Sequence, residues 1–463
     1  MTEITTKVLV VGGGPGGYVA AIRCGQLGLE TILVEGDRLG GTCLIRGCIP
    51  SKALIHAADE YSAVARAYDG SRLGIGVRSP PELDLGQTIQ WKDGVVGKLN
   101  AGVATLLRKA KVRVINGWAH FSDGKTCTVE SDGETVAIRA EHVILANGSM
   151  PVEIPSLPFG GKIVSSEGLL AVTELPRNLV VVGAGYIGLE LGTAFRKLGS
   201  QVAVIEQLGK VLPLYDDALS APVDNWLRTH GVGLHLNSSA KGMSADGSTL
   251  LVQDTGGVVT ELPADKVLVA VGRKPRVDGW GIENMALNRN GRFVAIDEQC
   301  ATSMKNVWAI GDLVGEPMLA HKASAQGEMV AEIISGKRRR FAPLAIPAVC
   351  FTEPEIVSVG LSPSDAGAAD TIVSMFPFAA NGRALSMEGG DGFVRIVSDR
   401  ATQRIVGVQA AGVHISELAS SFTQAIGMQA SLEDIGSIIH AHPTLGEAFH
   451  EASLKGLGHA IHI

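Results

Sequence analysis

The chain of 463 residues has few cysteines, few aromatic residues and no long apolar runs, and each of these shortages excludes a class of protein. It has six cysteines, which are too few for a framework of structural disulfides in a chain of this length. Aromatic residues amount to 5% and charged residues to 19%, and the net charge is −7. No excess of positive charge therefore predicts binding to nucleic acid or to an anionic membrane. A membrane-spanning helix needs about 18 or more apolar residues in a row, and no such run occurs.

The apolar stretch at residues 8–11 is also shorter than the core of a secretory signal. These absences predict a soluble, cytoplasmic, globular protein. At roughly 150 residues per domain, the length predicts about three domains. Glycine, by contrast, is abundant, at 58 of 463 residues against a usual share of about 7%. Without a collagen-like period, this surplus predicts tight turns or close approach of the backbone to a ligand.

A first glycine-rich turn follows an apolar strand pattern at residues 7–11. The turn has the sequence G-x-G-x-x-G and precedes a helical pattern, with its glycines at Gly12, Gly14 and Gly17. In this arrangement the first glycine allows a tight turn, the second lets the backbone approach a pyrophosphate and the third lets the helix pack on the strand. The next strand pattern ends in Glu35, where a ribose hydroxyl is expected.

The same pattern recurs near the middle of the chain. A strand pattern at residues 179–182 leads into a second G-x-G-x-x-G, made by Gly183, Gly185 and Gly188. The following strand pattern ends in Glu206. Glu206 follows Gly183 by the same number of residues as Glu35 follows Gly12. Either set alone also fits ordinary turns, but the matched spacing predicts two dinucleotide-binding units. Because a carboxylate at the ribose disfavours a 2′-phosphate, neither unit is predicted to prefer NADP.

Two cysteines, Cys43 and Cys48, lie between the two units and precede a helical pattern. A helix N-terminus lowers the pKa of a thiol, and the nearby Arg46 and Lys52 are expected to favour the thiolate needed for thiol–disulfide exchange. The C-x4-C spacing by itself is unspecific and also fits chance or a metal site. No Cys/His pair with zinc-ligand spacing accompanies it, and no metal is predicted. The other four cysteines stand singly in apolar surroundings and are predicted to be buried.

A histidine and a carboxylate near the C-terminus form another candidate pair. Glu447 follows His442 by five positions, and a carboxylate can orient an imidazole ring and raise its basicity. With a cysteine, the two residues could form a Cys/His/Glu relay. Most histidines have no catalytic role, and His440 is a competitor for this one, so the residues alone leave the choice open.

Five segments together resemble the pyridine nucleotide–disulfide oxidoreductases, and the likeness spans essentially the whole chain. In order, they are VVGGGPGGY, GGTCLIRGCIPSK, VVGAGYIGLELG, VWAIGD and HPTLGEA. The double glycine motif is shared by many flavoproteins. The cysteine segment combined with the histidine segment is specific to the disulfide branch, and the likeness is to those members that oxidise dihydrolipoamide.

The fold that this resemblance implies is α/β, with two Rossmann-like dinucleotide-binding domains and a C-terminal α+β dimerisation (interface) domain. The FAD-binding domain is expected to be discontinuous, over residues 1–150 and 274–345, and to contain the redox disulfide. The NAD-binding domain is expected over residues 151–273. The interface domain is expected over residues 346–463.

The resemblance also implies roles for single residues. Lys52 and Glu190 are implied as an ion pair beside the flavin. FAD is implied on Gly12, Gly14, Gly17, Glu35, Gly148 and Asp312. NAD is implied on Gly183, Gly185, Gly188, Glu206 and Gly272. Cys43 is implied as the thiol that exchanges with substrate and Cys48 as the thiol against the flavin. His442, oriented by Glu447 and followed by a cis bond to Pro443, is implied as the base for the cysteines of the other subunit.

The implied reaction is the oxidation of protein-bound dihydrolipoamide to lipoamide with reduction of NAD+ to NADH. The protein would act as a homodimer, as the E3 component of a 2-oxoacid dehydrogenase complex, with the branched-chain complex favoured. Its partners would be a lipoyl domain and the acyltransferase (E2) core. A glutathione reductase of the same family is the nearest alternative, but Glu206 stands where NADP would need basic residues. A non-enzymatic dinucleotide sensor would not need the two cysteines and His442.

Two positions depart from the usual pattern of the family. Ile45 stands where a polar Asn is usual, and Asn147 stands where Thr is usual. Asn147 is expected to keep a polar side chain near the FAD phosphates. These departures bear on the flavin potential and leave the fold prediction unchanged.

Overall fold

The first sheet of the protein forms around the first glycine-rich turn. The computed structural model describes residues 2–131, 133–367 and 370–463. The elements of the first segment are β1 (Thr2–Val11), α1 (Pro15–Gln26), β2 (Thr31–Glu35), α2 (Gly41–Arg46), α3 (Cys48–Gly70), α4 (Leu85–Lys109), β3 (Arg113–Asn116), β4 (Trp118–Phe121), β5 (Thr126–Ser131), β6 (Glu134–Leu145) and β7 (Ser149–Pro151). Strand β1 lies between β2 and β6 and is parallel to both. Its apolar end is fully buried, as is typical of a strand covered on both faces.

The second segment forms a separate parallel sheet around the second glycine-rich turn. Its elements are β8 (Ile163–Val164), α5 (Ser166–Leu169), β9 (Asn178–Val182), α6 (Tyr186–Lys197), β10 (Gln201–Ile205), α7 (Asp217–Thr229), β11 (Gly233–His235), β12 (Ser238–Met243), β13 (Thr249–Asp254), β14 (Val259–Pro263) and β15 (Lys266–Val269). The parallel strands are ordered β11-β10-β9-β15-β8, and β12, β13 and β14 form an antiparallel sheet of their own.

The chain then returns to the first sheet. This segment contains β16 (Arg273–Pro275), β17 (Arg289–Asn290), β18 (Phe293–Val294), β19 (Val307–Ala309) and α8 (Ala320–Ile334), with 3-10 turns at Ile282–Met285 and Gly311–Leu313. Strand β19 extends the first sheet beside β6, which gives the parallel order β3-β2-β1-β6-β19. Strands β16 and β7 pair with each other, so the two chain crossings between the sheets lie side by side.

The last segment is an antiparallel sheet covered by helices. It contains β20 (Ala348–Cys350), β21 (Glu355–Gly360), α9 (Pro363–Ala366), β22 (Thr371–Pro377), α10 (Gly382–Ser386), β23 (Phe393–Asp399), β24 (Ile405–Gly412), α11 (Ala419–Gly427), α12 (Leu432–Ser437) and α13 (Glu447–Gly456), with 3-10 turns at Phe378–Ala380 and Ile415–Leu418. The strand order is β20-β21-β24-β23-β22, and α13 packs against β22 and β23.

The predicted α/β class is confirmed. The four strands around each glycine turn have corresponding orders, β3-β2-β1-β6 in the first sheet and β11-β10-β9-β15 in the second. The four single cysteines are buried, as predicted: Cys24, Cys127, Cys300 and Cys350. In the described ranges, no helix is both long enough and apolar enough to cross a lipid bilayer.

Candidate active site

The first and third glycines of the first turn are required by packing, whereas the second is not. A Cβ on Gly12 would lie 2.3 Å from the carbonyl oxygen of Ala146, and one on Gly17 would lie 1.7 Å from the carbonyl oxygen of Gly12. A Cβ on Gly14 would meet nothing closer than the Cα of Gly41, at 3.9 Å. The protein therefore leaves room at Gly14, where a pyrophosphate is expected to approach the backbone.

The second turn repeats this division. A Cβ on Gly183 would lie 2.6 Å from the oxygen of Ala270, and one on Gly188 would lie 2.2 Å from the oxygen of Gly183. A Cβ on Gly185 would have no protein atom within 4 Å. Both turns therefore have the local geometry of a dinucleotide cradle.

Glu35 and Glu206 hold the backbone of the two turns in the same way. Each carboxylate accepts two backbone N–H groups, at 2.6 and 2.8 Å from Gly13 and Asp37 for Glu35, and at 2.8 and 2.9 Å from Ala184 and Leu208 for Glu206. A carboxylate has about four acceptor sites, so both retain capacity for ribose hydroxyls. The sequence pattern predicts that these carboxylates contact a ribose, but it does not predict that they also hold the backbone of their own turns.

A cavity of about 820 Å³ opens beside the first glycine turn, which is a volume suited to a cofactor. It brings together most residues predicted for the flavin side: Gly12, Gly14, Glu35, Cys43, Cys48, Lys52, Gly148, Glu190 and Asp312. Gly17 serves packing behind the turn. The second glycine set, Glu206, Gly272, His442 and Glu447 do not line this cavity.

One buried polar atom in the cavity wall has no hydrogen-bond partner among the residues that the structure describes. Asn147 lines the cavity, and its Oδ1 atom is buried without a hydrogen bond. Gly148, with a φ of 71°, leaves open space where a side chain would be. Gly14, where no protein atom blocks the approach of a ligand to the backbone, lies in the same wall. The residues present therefore fit a bound dinucleotide such as FAD.

Cys43 lies in α2, and Cys48 is the first residue of α3. Both are free thiols, and the Cys43 thiol donates a hydrogen bond to the Cys48 sulfur. This hydrogen bond is the main reason that the pKa of Cys48 is lowered to about 7; burial opposes the shift and the charge of Lys52 supports it. The same hydrogen bond, together with burial, raises the pKa of Cys43. Cys48 is therefore the sulfur that ionises first.

Arg46 lies beside two carboxylates. Its guanidinium contacts the carboxylate of Asp37 and lies 3.6 Å from that of Glu167. Of the two cations predicted to favour the thiolate, Lys52 lowers the pKa of Cys48, and the contribution of Arg46 stays a prediction. Ile45 packs against the apolar cluster beneath the cysteine segment, which explains how an apolar residue is accommodated there.

Lys52 and Glu190 form the predicted ion pair, with 2.8 Å between Nζ and Oε2. Glu190 is only 3% exposed, and its other oxygen accepts the backbone N–H of Phe351 at 2.9 Å. The Lys52 ammonium also lies 4.4 Å from the centroid of the Phe351 ring. Sequence patterns miss Phe351, because it reaches the pair from the C-terminal segment.

A second polar network joins the two chain crossings to the cavity. Ser149 Oγ donates to Asp312 Oδ2 at 2.5 Å, and Arg273 Nε donates to Ser149 Oγ at 2.8 Å. All three residues line the cavity. Asp312 was predicted. Its partner Ser149, and Arg273 that donates to Ser149, were missed because no local spacing relates residues so far apart in sequence.

His442 and Glu447 form the predicted pair. His442 Nδ1 lies 2.9 Å from Glu447 Oε1, and the other carboxylate oxygen accepts the backbone N–H of Thr444 at 2.8 Å. His440 Nδ1 instead contacts the carbonyl oxygen of Ile438, so His442 is the better candidate for a base. The bond between His442 and Pro443 is cis, as predicted.

The side chain of His442 is 79% exposed and does not line the cavity that contains the cysteines. Within one chain, the proposed base and the thiols are therefore parts of different surfaces. In the described portion of the chain, no three His, Cys, Asp or Glu side chains are grouped as a metal site.

Comparisons with known proteins agree with this geometry. The family model described as pyridine nucleotide-disulphide oxidoreductase matches residues 6–327, and that of its dimerisation domain matches residues 346–453. A dihydrolipoyl dehydrogenase of Pseudomonas aeruginosa is 58% identical, with 99% of each chain covered. A dihydrolipoyl dehydrogenase of Bacillus subtilis is 41% identical, with 99% of this chain and 98% of that protein covered.

Solved structures show the same architecture. LpdA of Mycobacterium tuberculosis has a TM-score of 0.88 at 26% identity, covering 98% of this chain and 99% of that one. The flavoprotein disulfide reductase RclA of Escherichia coli has a TM-score of 0.85 at 26% identity, covering 96% of this chain and 99% of that one.

Proposed function

The chain belongs to the pyridine nucleotide-disulphide oxidoreductase family, and we propose that it oxidises protein-bound dihydrolipoamide to lipoamide with reduction of NAD+ to NADH. The observation that supports this most is the cavity in which a glycine cradle, the Cys43–Cys48 pair and the Lys52–Glu190 pair meet. The high identity to dihydrolipoyl dehydrogenases over the full chain supports the choice of substrate within the family.

The cofactors are FAD and NAD. The first cradle would hold FAD through Gly12, Gly14, Gly17, Glu35, Gly148 and Asp312, and the second would hold NAD through Gly183, Gly185, Gly188, Glu206 and Gly272. Bound FAD supplies a two-electron carrier between the dithiol and NAD+. The corresponding division of the chain, with FAD on residues 1–150 and 274–345, NAD on 151–273 and the interface on 346–463, stands as part of this proposal.

The cysteines perform the exchange with substrate in this proposal. His442 Nε2 accepts a proton from one thiol of the dihydrolipoyl group, and the resulting thiolate attacks Cys43 of the oxidised Cys43–Cys48 pair. The disulfide breaks and Cys48 leaves as a thiolate, which its low pKa of about 7 favours. His442 then passes its proton to the sulfur of Cys43 as this leaves and accepts the proton of the second substrate thiol, which attacks the substrate sulfur bound to Cys43. The lipoyl disulfide closes, and Cys43 is released as a thiol while Cys48 remains a thiolate.

Glu447 positions the base. Its hydrogen bond to His442 Nδ1 leaves Nε2 as the nitrogen that accepts a proton. The match to the family's dimerisation domain supports a homodimer. We place His442 of one subunit beside the cysteines of the other, because in a single chain the His442–Glu447 pair stands exposed and apart from the cavity.

The lipoyl group would be presented by a lipoyl domain on the acyltransferase core of a 2-oxoacid dehydrogenase complex. The branched-chain complex and the cytoplasmic location both stay predictions. Co-purification with each acyltransferase core, identified by mass spectrometry, separates the candidate complexes.

The test of the function uses the purified homodimer. The protein should be yellow, and it should form NADH from dihydrolipoamide and NAD+ at a rate far above that with NADP+. A colourless protein that cannot take up FAD, or one that prefers NADPH with glutathione disulfide, contradicts the proposal.

A further inference from the structure

Trp118 is an exposed aromatic residue in the wall of the cavity. In β4, Ala119 and Phe121 are buried in the core, whereas Trp118 lies on the opposite face and is 64% exposed. A single exposed apolar side chain is ordinary on a protein surface. Among the described residues, however, only Trp118 and Tyr186 are large, exposed apolar side chains that also line the cavity. Both offer an aromatic ring to whatever fills it.

The two aromatic residues belong to different parts of the cavity wall. Tyr186 begins α6, one turn before Glu190, and so belongs to the part that contains the ion pair described above. Trp118 belongs to the part that contains Glu35, because the N–H of Gly117 donates to the carbonyl oxygen of Glu35 at 2.8 Å. In the proposed FAD site, Glu35 contacts the adenosine ribose, and the adenine base is bonded to that same ribose. Trp118 is therefore next to the expected position of the base.

Gly36 provides the space that the indole occupies. A Cβ on Gly36 would lie 2.6 Å from Cδ2 and 2.7 Å from Cε2 of Trp118. The φ of Gly36 is not in the left-handed region, so its backbone conformation does not require a glycine. The missing side chain therefore serves the packing of the ring. This contact fixes the indole at the residue that directly follows Glu35.

Arg276 holds the ring from a distant part of the chain. Its guanidinium carbon lies 5.6 Å from the centroid of the indole, within the range of a cation–π interaction. The backbone of Arg276 is itself fixed, since its N–H donates to the carbonyl oxygen of Gly148 at 2.9 Å and its carbonyl oxygen accepts the indole N–H of Trp280 at 3.0 Å. A ring that is positioned before its ligand arrives loses less conformational freedom when the ligand binds.

We propose that Trp118 is the aromatic contact for the adenine base of FAD, with its ring positioned by Gly36 and Arg276. This inference rests on the proposed function, which assigns FAD to the first glycine turn. Every base has a π-face, and contact of that face with an aromatic ring strengthens binding. Because FMN has no adenine, this contact favours FAD over FMN.

The first test measures the affinity of the purified homodimer for FAD and does not depend on turnover. The holoenzyme is diluted in series, and the anisotropy of flavin fluorescence gives the dissociation constant of FAD. Trp118→Leu keeps an apolar side chain without an aromatic ring, whereas Trp118→Phe keeps a ring. Trp91→Leu is the matched control, because Trp91 is 47% exposed but does not line the cavity.

Trp118→Leu should raise the dissociation constant of FAD by roughly 5- to 100-fold, the usual effect of losing a base–aromatic contact. Trp118→Phe should recover most of this affinity, and Trp91→Leu should match the wild type. Thermal unfolding at saturating FAD should be alike in all four proteins. An unchanged dissociation constant in Trp118→Leu, an equal loss in Trp118→Phe, or a loss that accompanies an equal fall in thermal stability would overturn the inference.

A second test moves the ring without removing it. Gly36→Ala should weaken FAD binding, because its Cβ displaces the indole. The same substitution in a Trp118→Ala protein should add little further loss, since no ring is left to displace. Fully additive losses would show that Gly36 acts on the backbone beside Glu35 instead, and they would contradict the proposed positioning. A wild-type protein that binds no FAD at all would contradict the proposed function itself.

Discussion

Lys52 Nζ lies 2.8 Å from Glu190 Oε2, and this contact joins the helix that begins at Cys48 to the helix that follows the second glycine turn. The charges of both residues act on the Cys48 thiol, in opposite directions. Lys52 lowers the pKa of Cys48, and Glu190 raises it. The charge state of the reactive thiol is therefore set jointly by the two parts of the chain that contain the cradles.

The first prediction concerns this thiol in the reduced protein. Lys52→Met should raise the pKa of Cys48 above its value of about 7, and Glu190→Gln should lower it. The pH dependence of alkylation by iodoacetamide measures both. Cys43→Ala should also raise the pKa of Cys48, because it removes the side-chain donor of Cys43, the largest cause of the low value. Equal pH profiles in all three variants would show that the thiolate is stabilised by something else.

The second prediction separates glycines that serve packing from those that serve a ligand. Gly14→Ala should fold, because its Cβ meets no protein atom closer than 3.9 Å. It should retain FAD poorly, because the added Cβ takes the space in which the pyrophosphate is expected to approach the backbone. Gly185→Ala should fold, retain FAD and raise KM for NAD+. Gly17→Ala and Gly188→Ala should instead lower thermal stability, since their Cβ atoms would lie 1.7 and 2.2 Å from backbone oxygens. Thermal unfolding and flavin content distinguish these outcomes, and a stable Gly17→Ala protein would contradict the packing account.

The third prediction concerns the base. His442→Gln should reduce dihydrolipoamide oxidation by roughly 10²- to 10⁴-fold, the usual contribution of a positioned base, with little effect on NADH-to-dye transfer. His440→Gln is the matched control, because its ring contacts a backbone carbonyl and no carboxylate. If both activities fall together in His442→Gln, the variant is misfolded or the base is misassigned.

The fourth prediction concerns nucleotide choice. Glu206→Ala should raise KM for NAD+ by roughly tenfold, the cost of about one charge-assisted hydrogen bond, and should improve the use of NADP+. Flavin content should stay at the wild-type level. Glu35→Ala should instead lower the flavin content and leave KM for NAD+ unchanged. An unchanged KM in Glu206→Ala would mean that the ribose contact lies elsewhere and that Glu206 serves only the backbone of its turn.

The sequence was most informative where function depends on spacing along the chain. The glycine turns, with Glu35 and Glu206 at equal distances behind them, predicted two parallel sheets and their cradles, because strand, turn and helix are consecutive. The His442–Glu447 contact was also predictable, because the two residues are only five positions apart in the sequence.

Contacts between distant segments could not be predicted in this way. Phe351 completes the Lys52–Glu190 pair from the C-terminal segment. Ser149 links Arg273 to Asp312 because the chain leaves the first sheet and returns to it. The contacts of Arg46 were equally unpredictable from the sequence, since its guanidinium contacts Asp37 and lies 3.6 Å from the Glu167 carboxylate, which is far away along the chain.

The central claim is that the Cys43–Cys48 pair and the His442–Glu447 pair act as one exchange site across two subunits. The most direct test is a purified heterodimer of Cys48→Ser and His442→Gln subunits, each of which should be nearly inactive with dihydrolipoamide as a homodimer. The heterodimer should recover about half of the wild-type rate, because one of its two shared sites then has an intact disulfide and an intact base. A heterodimer as inactive as its parents would contradict the account, since it would show that base and cysteines act within one chain.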